Sequence, residues 1–219
     1  LANNDNPEYE TAGGNNTSDQ VYLLSIDEVK NLLYGFSEGD TDVDYCKRLS
    51  VNTAYTAAGG EIQSENMVSA GEEDAWWLRS SGYDSTTASY IYYDGSIDKH
   101  GDKGNFHYAT RPALHLNLAS DISWSYAGST ASDDGVATWD CIWFGNYWQE
   151  DTNGDGKADK EDDKTPIKWR VLSVKGDDAF LMADKNLDCQ KYNDSKSEVT
   201  WETCTMRSWL NGYGAGLNQ

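Results

Sequence analysis

Residues 88–118 set the narrowest limits on the fold, because their pattern is that of paired strands. Asp94-Gly95 lies between two strand-like runs, and this dipeptide is typical of the type I′ turn of a tight hairpin. Farther along, every second residue from Leu114 to Leu118 is leucine, as in a strand with one buried face. The segment therefore predicts antiparallel β structure.

Short apolar runs elsewhere predict further strands. These are expected at residues 21–24, 76–80, 142–148, 167–174 and 179–183. Together with few helical signals, they predict the fold class α+β, mostly antiparallel β with two short helices.

The helical signals lie near the two ends of the chain. Ser25 and Glu28 form a capping box, which predicts a helix that buries Leu32 and Leu33 and ends at Gly35. A second helix is predicted at residues 201–211 with Thr200 as its cap, and a short turn of helix at 53–58.

The charge of the chain limits its partners. It carries 37 acidic and 17 basic side chains in 219 residues, a formal net charge of -20. Such a surface repels the phosphates of nucleic acid and the headgroups of an anionic membrane. No run of about eighteen apolar residues is present, so no membrane insertion is predicted. Nine tryptophans and fourteen tyrosines can build a core, so the low hydropathy does not predict disorder.

An acidic loop at residues 151–162 has the spacing of a calcium-binding loop. Oxygen-bearing side chains stand at loop positions 1, 3, 5, 9 and 12, and Gly156 at position 6 permits a sharp turn. The predicted Ca²⁺ ligands are Asp151, Asn153, Asp155, Lys157 through its carbonyl, Asp159 and Asp162. The loop resembles those of EF-hands and dockerins, but it is a single copy between strands. The alternative is a solvated Asp/Gly turn without an ion.

Residues 82–110 are rich in Tyr, Ser, Asp, Asn and His, which are the residue types of antibody paratopes. Tyrosine supplies a large contact area at small entropic cost, and short polar side chains supply adaptable hydrogen bonds. We therefore expect a binding face on a hairpin. The alternative is that the segment forms only the hydrated face of that hairpin.

Four cysteines, Cys46, Cys141, Cys189 and Cys204, allow three disulfide pairings. None lies in a Cys-x-x-Cys motif, so no zinc site is indicated. Disulfides are expected rather than free thiols, with Cys189 joined to Cys204 and Cys46 to Cys141.

Two motifs stand out in the first part of the chain, namely Trp76-Trp77-Leu78-Arg79-Ser80 and Arg111-Pro112-Ala113-Leu114. Further motifs follow at 143–147, 166–172, 187–193 and 199–211. Together they resemble an uncharacterised domain family of bacterial surface proteins, which is itself similar to the C-type-lectin and formylglycine-generating-enzyme fold group. The resemblance covers most of the chain. It implies a C-type-lectin-like fold and an extracellular location at the bacterial cell surface.

The resemblance also divides the chain into parts. Residues 1–118 look like the C-terminal half of such a domain and residues 139–219 like its N-terminal half, with a linker at 119–138. This order is the reverse of the family's. The chain is therefore expected to be either a circular permutation or two half-domains of a tandem array, which would pair with a neighbour or by swapping.

Some members of this fold group are variable proteins of diversity-generating retroelements, in which the stretch before the last strand varies among Tyr, Asn, Asp, Ser and His. Residues 83–108 are similar in composition. The analogy implies that contacts to a ligand come from this stretch. The candidate ligand-binding residues are Tyr83, Tyr90, Tyr92, Tyr93, His100, Asn105, Phe106, His107 and Tyr108.

These features predict an extracellular module that binds a protein or a glycan, rather than an enzyme. His115 lies inside the Leu114/Leu116 strand and is expected to be structural, and His100 and His107 have no marked nucleophile or carboxylate partner. The four cysteines match no reactive pair of the formylglycine-generating branch. The tripeptides Glu-Pro-Asn and Gln-Pro-Asp of calcium-dependent sugar binding are absent. The alternatives are a structural repeat of a bacterial surface fibre and an enzyme of the formylglycine-generating fold group.

Overall fold

The strands of the computed structural model lie where apolar and aromatic residues gather in short runs. The structure describes residues 1–39, 42–62, 64 and 67–212, so the end of the predicted part 139–219 lies outside the described residues. The strands are β1 (Val21–Tyr22), β2 (Trp76–Ser81), β3 (Thr87–Ile91), β4 (Ile97–Lys103), β5 (His107–Thr110), β6 (Ala113–Asn117), β7 (Trp124–Ala131), β8 (Thr138–Tyr147), β9 (Thr165–Lys175), β10 (Asp178–Ala183) and β11 (Asp188–Lys191). With few short helices, the chain is mostly antiparallel β, as predicted.

Six strands form one sheet in the order β1-β6-β10-β9-β8-β7, and every neighbouring pair is antiparallel. The alternation of leucines in β6 is confirmed, because Leu114 and Leu116 are buried on one face and Leu114 lies opposite Leu181 of β10. That face carries an apolar cluster that also includes Ile167 and Trp169 of β9.

Five strands form the other sheet in the order β11-β5-β2-β3-β4. The predicted core strand at 76–80 is confirmed, because every residue of β2 is buried. A second apolar cluster draws on both sheets, with Trp76 and Trp77 from β2 and Phe180 and Met182 from β10. The two sheets are therefore joined through one core.

The two motif arginines belong to this core. Arg79 donates to the Leu23 carbonyl at 2.9 Å and forms an ion pair with Glu28. Arg111 is fully buried, donates to the Ala183 carbonyl at 2.9 Å and lies 5.1 Å from the ring of Trp76. Each arginine thus satisfies backbone carbonyls that would otherwise be buried without a partner. These motif residues hold the fold together and do not form a site.

Both sheets mix strands from the two predicted parts of the chain. β6 pairs with β10 in the larger sheet, and β5 pairs with β11 in the smaller one. Whether permutation or a tandem array explains the order of the parts stays a prediction.

The segment predicted as a linker contains a strand, so this prediction was wrong. β7 pairs with β8 alone and forms one edge of the larger sheet. An edge strand with half-exposed side chains tolerates Ser, Thr, Ala and Gly, which explains why its composition looked like that of a linker.

The helices are α1 (Asp42–Tyr45), α2 (Ala54–Ala57) and α3 (Thr205–Leu210). The capping box is confirmed, since the Ser25 hydroxyl accepts from the Glu28 amide at 3.2 Å and the Glu28 carboxylate from the Ser25 amide at 2.9 Å. The helix itself is reduced to two 3₁₀ turns, because Asn31 between them is extended. Leu32 and Leu33 are consequently exposed, contrary to prediction.

The remaining helix predictions hold in part. α2 lies within the predicted helical turn at 53–58, and Thr53 is its cap. α3 begins four residues later than the predicted start at 201, because residues 200–203 form a separate turn and Cys204 is the cap. No helix in the described part of the chain has the length and apolarity needed to span a bilayer.

The disulfide predictions were wrong, because none of the four cysteines is joined to another in a disulfide. The Cys204 sulfur accepts from the Arg207 amide at 3.4 Å, and the Cys189 sulfur lies 3.2 Å from that of Met67. Cys141 lies on β8 next to Thr130, and Cys46 follows α1. The four thiols therefore lie among different neighbouring residues.

Candidate functional site

An open cleft of about 540 Å³ lies beside the β3–β4 hairpin, where the paratope-like segment was predicted. We call it the tyrosine–histidine cleft. Its lining consists of Glu8, Tyr9, Tyr45, Tyr90, Tyr92, Ser96, Ile97, Asp98, Lys99 and His100. Three of the nine predicted contact residues line it directly, and Tyr83 and Tyr93 adjoin it through ring contacts.

A buried asparagine brings the N-terminal segment to this cleft. The Asn6 side-chain amide donates to the carbonyls of Ser81 and Lys99, both at 2.8 Å. Its side-chain oxygen accepts from the amides of Glu8 and Tyr9. Asn6 thereby fixes a turn against β2 and β4, and the turn presents Tyr9 to the cleft.

Three aromatic rings form one wall of the cleft. Tyr83 follows β2 and stacks on His100 of β4 at 4.1 Å between ring centroids. The Tyr83 amide donates to the His100 carbonyl at 2.8 Å, which fixes the spacing of the two backbones. Tyr9 contacts both rings edge-on. The wall is thus organised before any ligand is present.

The tip of the hairpin carries Tyr92 and Tyr93, which are 40% and 55% exposed. The predicted type I′ turn is wrong, because Asp94 does not have a positive φ. Instead, the Gly95 amide donates to the Tyr92 carbonyl, and the Tyr92 amide donates to the Ser96 carbonyl. This three-residue loop, with Gly95 at φ +86°, projects the two tyrosines outward.

Tyr90 and Tyr108 pack inward, contrary to the prediction that they are exposed contacts. They stack on each other at 4.6 Å, and Tyr108 contacts the buried Trp77 edge-on. Burial and then the nearby Asp102 carboxylate raise the pKa of Tyr108 to about 12. Burial also raises the pKa of Tyr90 well above its ordinary value. The pair joins the cleft to the core and gives it a rigid base.

Asn105, Phe106 and His107 do not join the cleft. They lie at the opposite end of the seven-residue strand β4, about 20 Å from the hairpin tip. His107 contacts the Ser64 hydroxyl at 3.3 Å, and its pKa is lowered by partial burial and then by Lys191. Of the nine candidate contact residues, these three therefore lie apart from the cleft, and ligand binding by any of the nine stays a prediction.

The cleft combines neutral hydroxyls with paired charges. Lys99 lies 3.5 Å from Glu8, and Asp98 adds a second carboxylate. The pKa of Tyr9 is raised by desolvation and then by Glu8, and that of Tyr92 chiefly by Tyr93. These phenols are protonated at neutral pH and can donate hydrogen bonds to a ligand.

The acidic loop between β8 and β9 forms an ordered turn. The Asp151 carboxylate accepts from the amides of Gly154 and Gly156 at 2.6 and 2.7 Å. Asp162 is buried and accepts from the amides of Thr152 and Asp159 at 2.7 and 2.8 Å. The sharp turn expected at position 6 is present, since Gly156 has φ +92°.

The same loop does not draw its predicted ligands around one point. Lys157 forms an ion pair with Asp159 at 3.1 Å, and in the described ranges no group of three or more His, Cys, Asp or Glu side chains could hold a metal. The carboxylates hold the loop by accepting from its own amides. Calcium binding by residues 151–162 stays a prediction.

Sequence reasoning missed the contributions of Tyr9 and Tyr45 to the cleft. Both come from segments distant in sequence, and Tyr9 lies in a stretch that reads as irregular. The contacts of Asn6 with β2 and β4 help to bring Tyr9 into place, and no local sequence pattern predicts them.

A family model of a domain of unknown function, DUF6273, matches residues 1–118, which is more than half of the chain. The chain belongs to the DUF6273 family. The expectation of an uncharacterised domain family is therefore confirmed. No curated protein and no solved structure matches this DUF6273 chain. The match contains β1 to β6 and, with them, all ten residues that line the tyrosine–histidine cleft.

Proposed function

We propose that this DUF6273 chain is an extracellular binding module that holds a protein ligand in the tyrosine–histidine cleft. The observation that carries the proposal is the exposed aromatic surface built from Tyr9, Tyr83, Tyr92, Tyr93 and His100. Exposed tyrosines held by stacking lose little side-chain entropy on binding, which is why such surfaces serve as paratopes.

A protein suits this surface better than a glycan. Sugar rings stack on open aromatic faces, but His100 covers one face of Tyr83, and Tyr93 packs against Tyr92. The lining also contains tyrosine hydroxyls together with Glu8, Asp98 and Lys99. Such a mixture complements the backbone and side chains of a protein.

We also propose that the fold is of the C-type-lectin type and that the hairpin takes the place of a variable ligand-binding segment. Support comes from the two mostly antiparallel sheets, the shared core and the exposed position of residues 92–94. The fibre alternative relied on half-domains that need a neighbour. Pairing of β5 with β11 and of β6 with β10 within one chain removes that requirement.

Binding rather than catalysis is proposed because the cleft's histidine is engaged in ring stacking. His100 stacks on the ring of Tyr83 and meets the ring of Tyr9 edge-on. His115 lies elsewhere, on β6, where it contacts Asp178 at 2.8 Å. When histidine acts as a general acid or base, it must lie within reach of a substrate proton and have a partner that orients its ring.

The test is a screen of the chain against bacterial and host surface proteins and against a glycan array, read by biolayer interferometry. For a protein ligand found in this way, the double variant Tyr92→Ala/Tyr93→Ala should weaken affinity at least tenfold. Tyr126→Ala is the matched control, because Tyr126 is 64% exposed on β7 outside the cleft. Equal affinity of the double variant and the wild type would refute the cleft as the binding site. Binding to glycans alone would refute a protein as the ligand.

A further inference from the structure

A second concave surface, the aromatic groove, lies between the larger sheet and α3. Its volume is about 540 Å³, within the roughly 300–1,000 Å³ that is usual for small-molecule sites. Apolar side chains dominate the lining, among them Phe144, Trp148, Ile167, Trp169, Trp209 and Leu210. The groove shares no lining residue with the tyrosine–histidine cleft, so an inference about the groove does not depend on the proposed function.

The charged side chains of the groove already have partners within the chain. Asp188 is 1% exposed and accepts hydrogen bonds from the Tyr147 hydroxyl and from the amides of Glu61 and Cys189. At the rim, Lys160 forms an ion pair with Glu61. Among the described lining residues, no charged group is left to attract a ligand of opposite charge.

One polar group of the groove remains unsatisfied. Thr110 is 1% exposed, and its hydroxyl has no hydrogen-bond partner among the described residues. It ends β5, directly opposite Asp188 of β11, and it lines the groove. A buried hydroxyl without a partner is costly, and such a group in a ligand site is explained when the ligand supplies the missing bond.

We propose that the aromatic groove binds an uncharged, largely aromatic small molecule with a single hydroxyl, of the phenol type, and that Thr110 recognises that hydroxyl. The apolar rings account for the ring of the ligand, and the lone unpaired hydroxyl accounts for its one polar group. The paired charges of the groove and the net charge of -20 disfavour an anion.

The experiment compares ligands of one shape that differ in one group. Binding of the neutral dye N-phenyl-1-naphthylamine is followed by fluorescence, and 4-ethylphenol, 4-ethyltoluene and 4-ethylbenzoate are tested as competitors at pH 7.5. The wild type should bind 4-ethylphenol at least fivefold more tightly than 4-ethyltoluene and should bind 4-ethylbenzoate most weakly. A ratio near one, no dye binding, or tight binding of the benzoate would overturn the proposal.

Variants then test whether the Thr110 hydroxyl causes the preference for 4-ethylphenol over 4-ethyltoluene. Thr110→Val keeps the shape and should reduce the phenol-to-toluene ratio to about one, whereas Thr110→Ser should keep it. Ser50→Ala is the matched control, because it removes another buried hydroxyl without a described partner, at a residue outside the groove. Phe144→Glu should abolish dye binding while the circular dichroism spectrum stays native. An unchanged ratio in Thr110→Val, or dye binding that survives Phe144→Glu, would refute the assignment.

Discussion

Replacing Asp188 with Asn tests the electrostatics of the most deeply buried carboxylate near the aromatic groove. Burial raises the pKa of Asp188 from its ordinary 3.8 to about 6, against the opposing effect of hydrogen bonds from Tyr147 and two amides. Asparagine has the same shape and can keep these contacts, because the Tyr147 hydroxyl can accept as well as donate. The substitution therefore removes the titration and leaves the packing in place.

The size of the effect follows from linkage. A folded-state pKa above the unfolded one means that the folded protein binds the proton more tightly, so this stabilisation is complete below about pH 4. It is lost as the pH rises through about 6. Two pKa units at about 1.4 kcal/mol each correspond to about 3 kcal/mol. The free energy of unfolding of the wild type minus that of Asp188→Asn should fall by about this amount between pH 4 and pH 7.

Urea unfolding followed by tryptophan fluorescence at pH 4, 5, 6 and 7 measures this difference. Titration of the other carboxylates is common to both proteins and cancels. Asp177→Asn removes one charge from an exposed turn and reports the effect of net charge alone. A difference between wild type and Asp188→Asn that does not vary with pH would refute the raised pKa. A difference that increases with pH would show that the hydrogen bonds outweigh desolvation.

Three further predictions concern the tyrosine–histidine cleft and the acidic loop at residues 151–162. Asn6→Ala should lower the free energy of unfolding by about 2–3 kcal/mol in urea titrations, because it removes the hydrogen bonds that the buried side chain makes to the Ser81 and Lys99 carbonyls, whereas the exposed Asn4→Ala should change it by less than about 0.5 kcal/mol. Gly95→Ala should lower the melting temperature more than Gly71→Ala, since both have positive φ but only the first places a Cβ 2.2 Å from a backbone carbonyl. If residues 151–162 bind calcium, 10 mM Ca²⁺ should stabilise the chain by about 1–3 kcal/mol relative to a chelator, and an unchanged melting curve would count against the site.

Local patterns predicted the strands well, because alternation and turn residues act over a few positions. The burial of β2 and β6 could be predicted from the apolar residues of each strand alone. The capping box at Ser25 depends only on two residues that are three positions apart. Composition misled at β7, since an edge strand does not require an apolar face.

The candidate site was predictable only in part. The sequence placed Tyr92, Tyr93 and His100 in a binding segment, and these residues do lie together at an exposed cleft. It could not tell that Tyr90 turns inward, because both faces of β3 carry neighbours that are distant in sequence. For the same reason the sequence could not predict the aromatic groove, whose lining combines residues from β1, β6, β8, β9 and α3.

The interleaving of early and late strands has a consequence for biosynthesis. Residue 110 finds its β11 neighbour at residue 188, and residue 114 finds its β10 neighbour at residue 181. On the ribosome, β5 and β6 therefore emerge long before the strands that complete their hydrogen bonding. A nascent chain in this state exposes unpaired strand edges, and folding is expected to be slow until translation has passed residue 191.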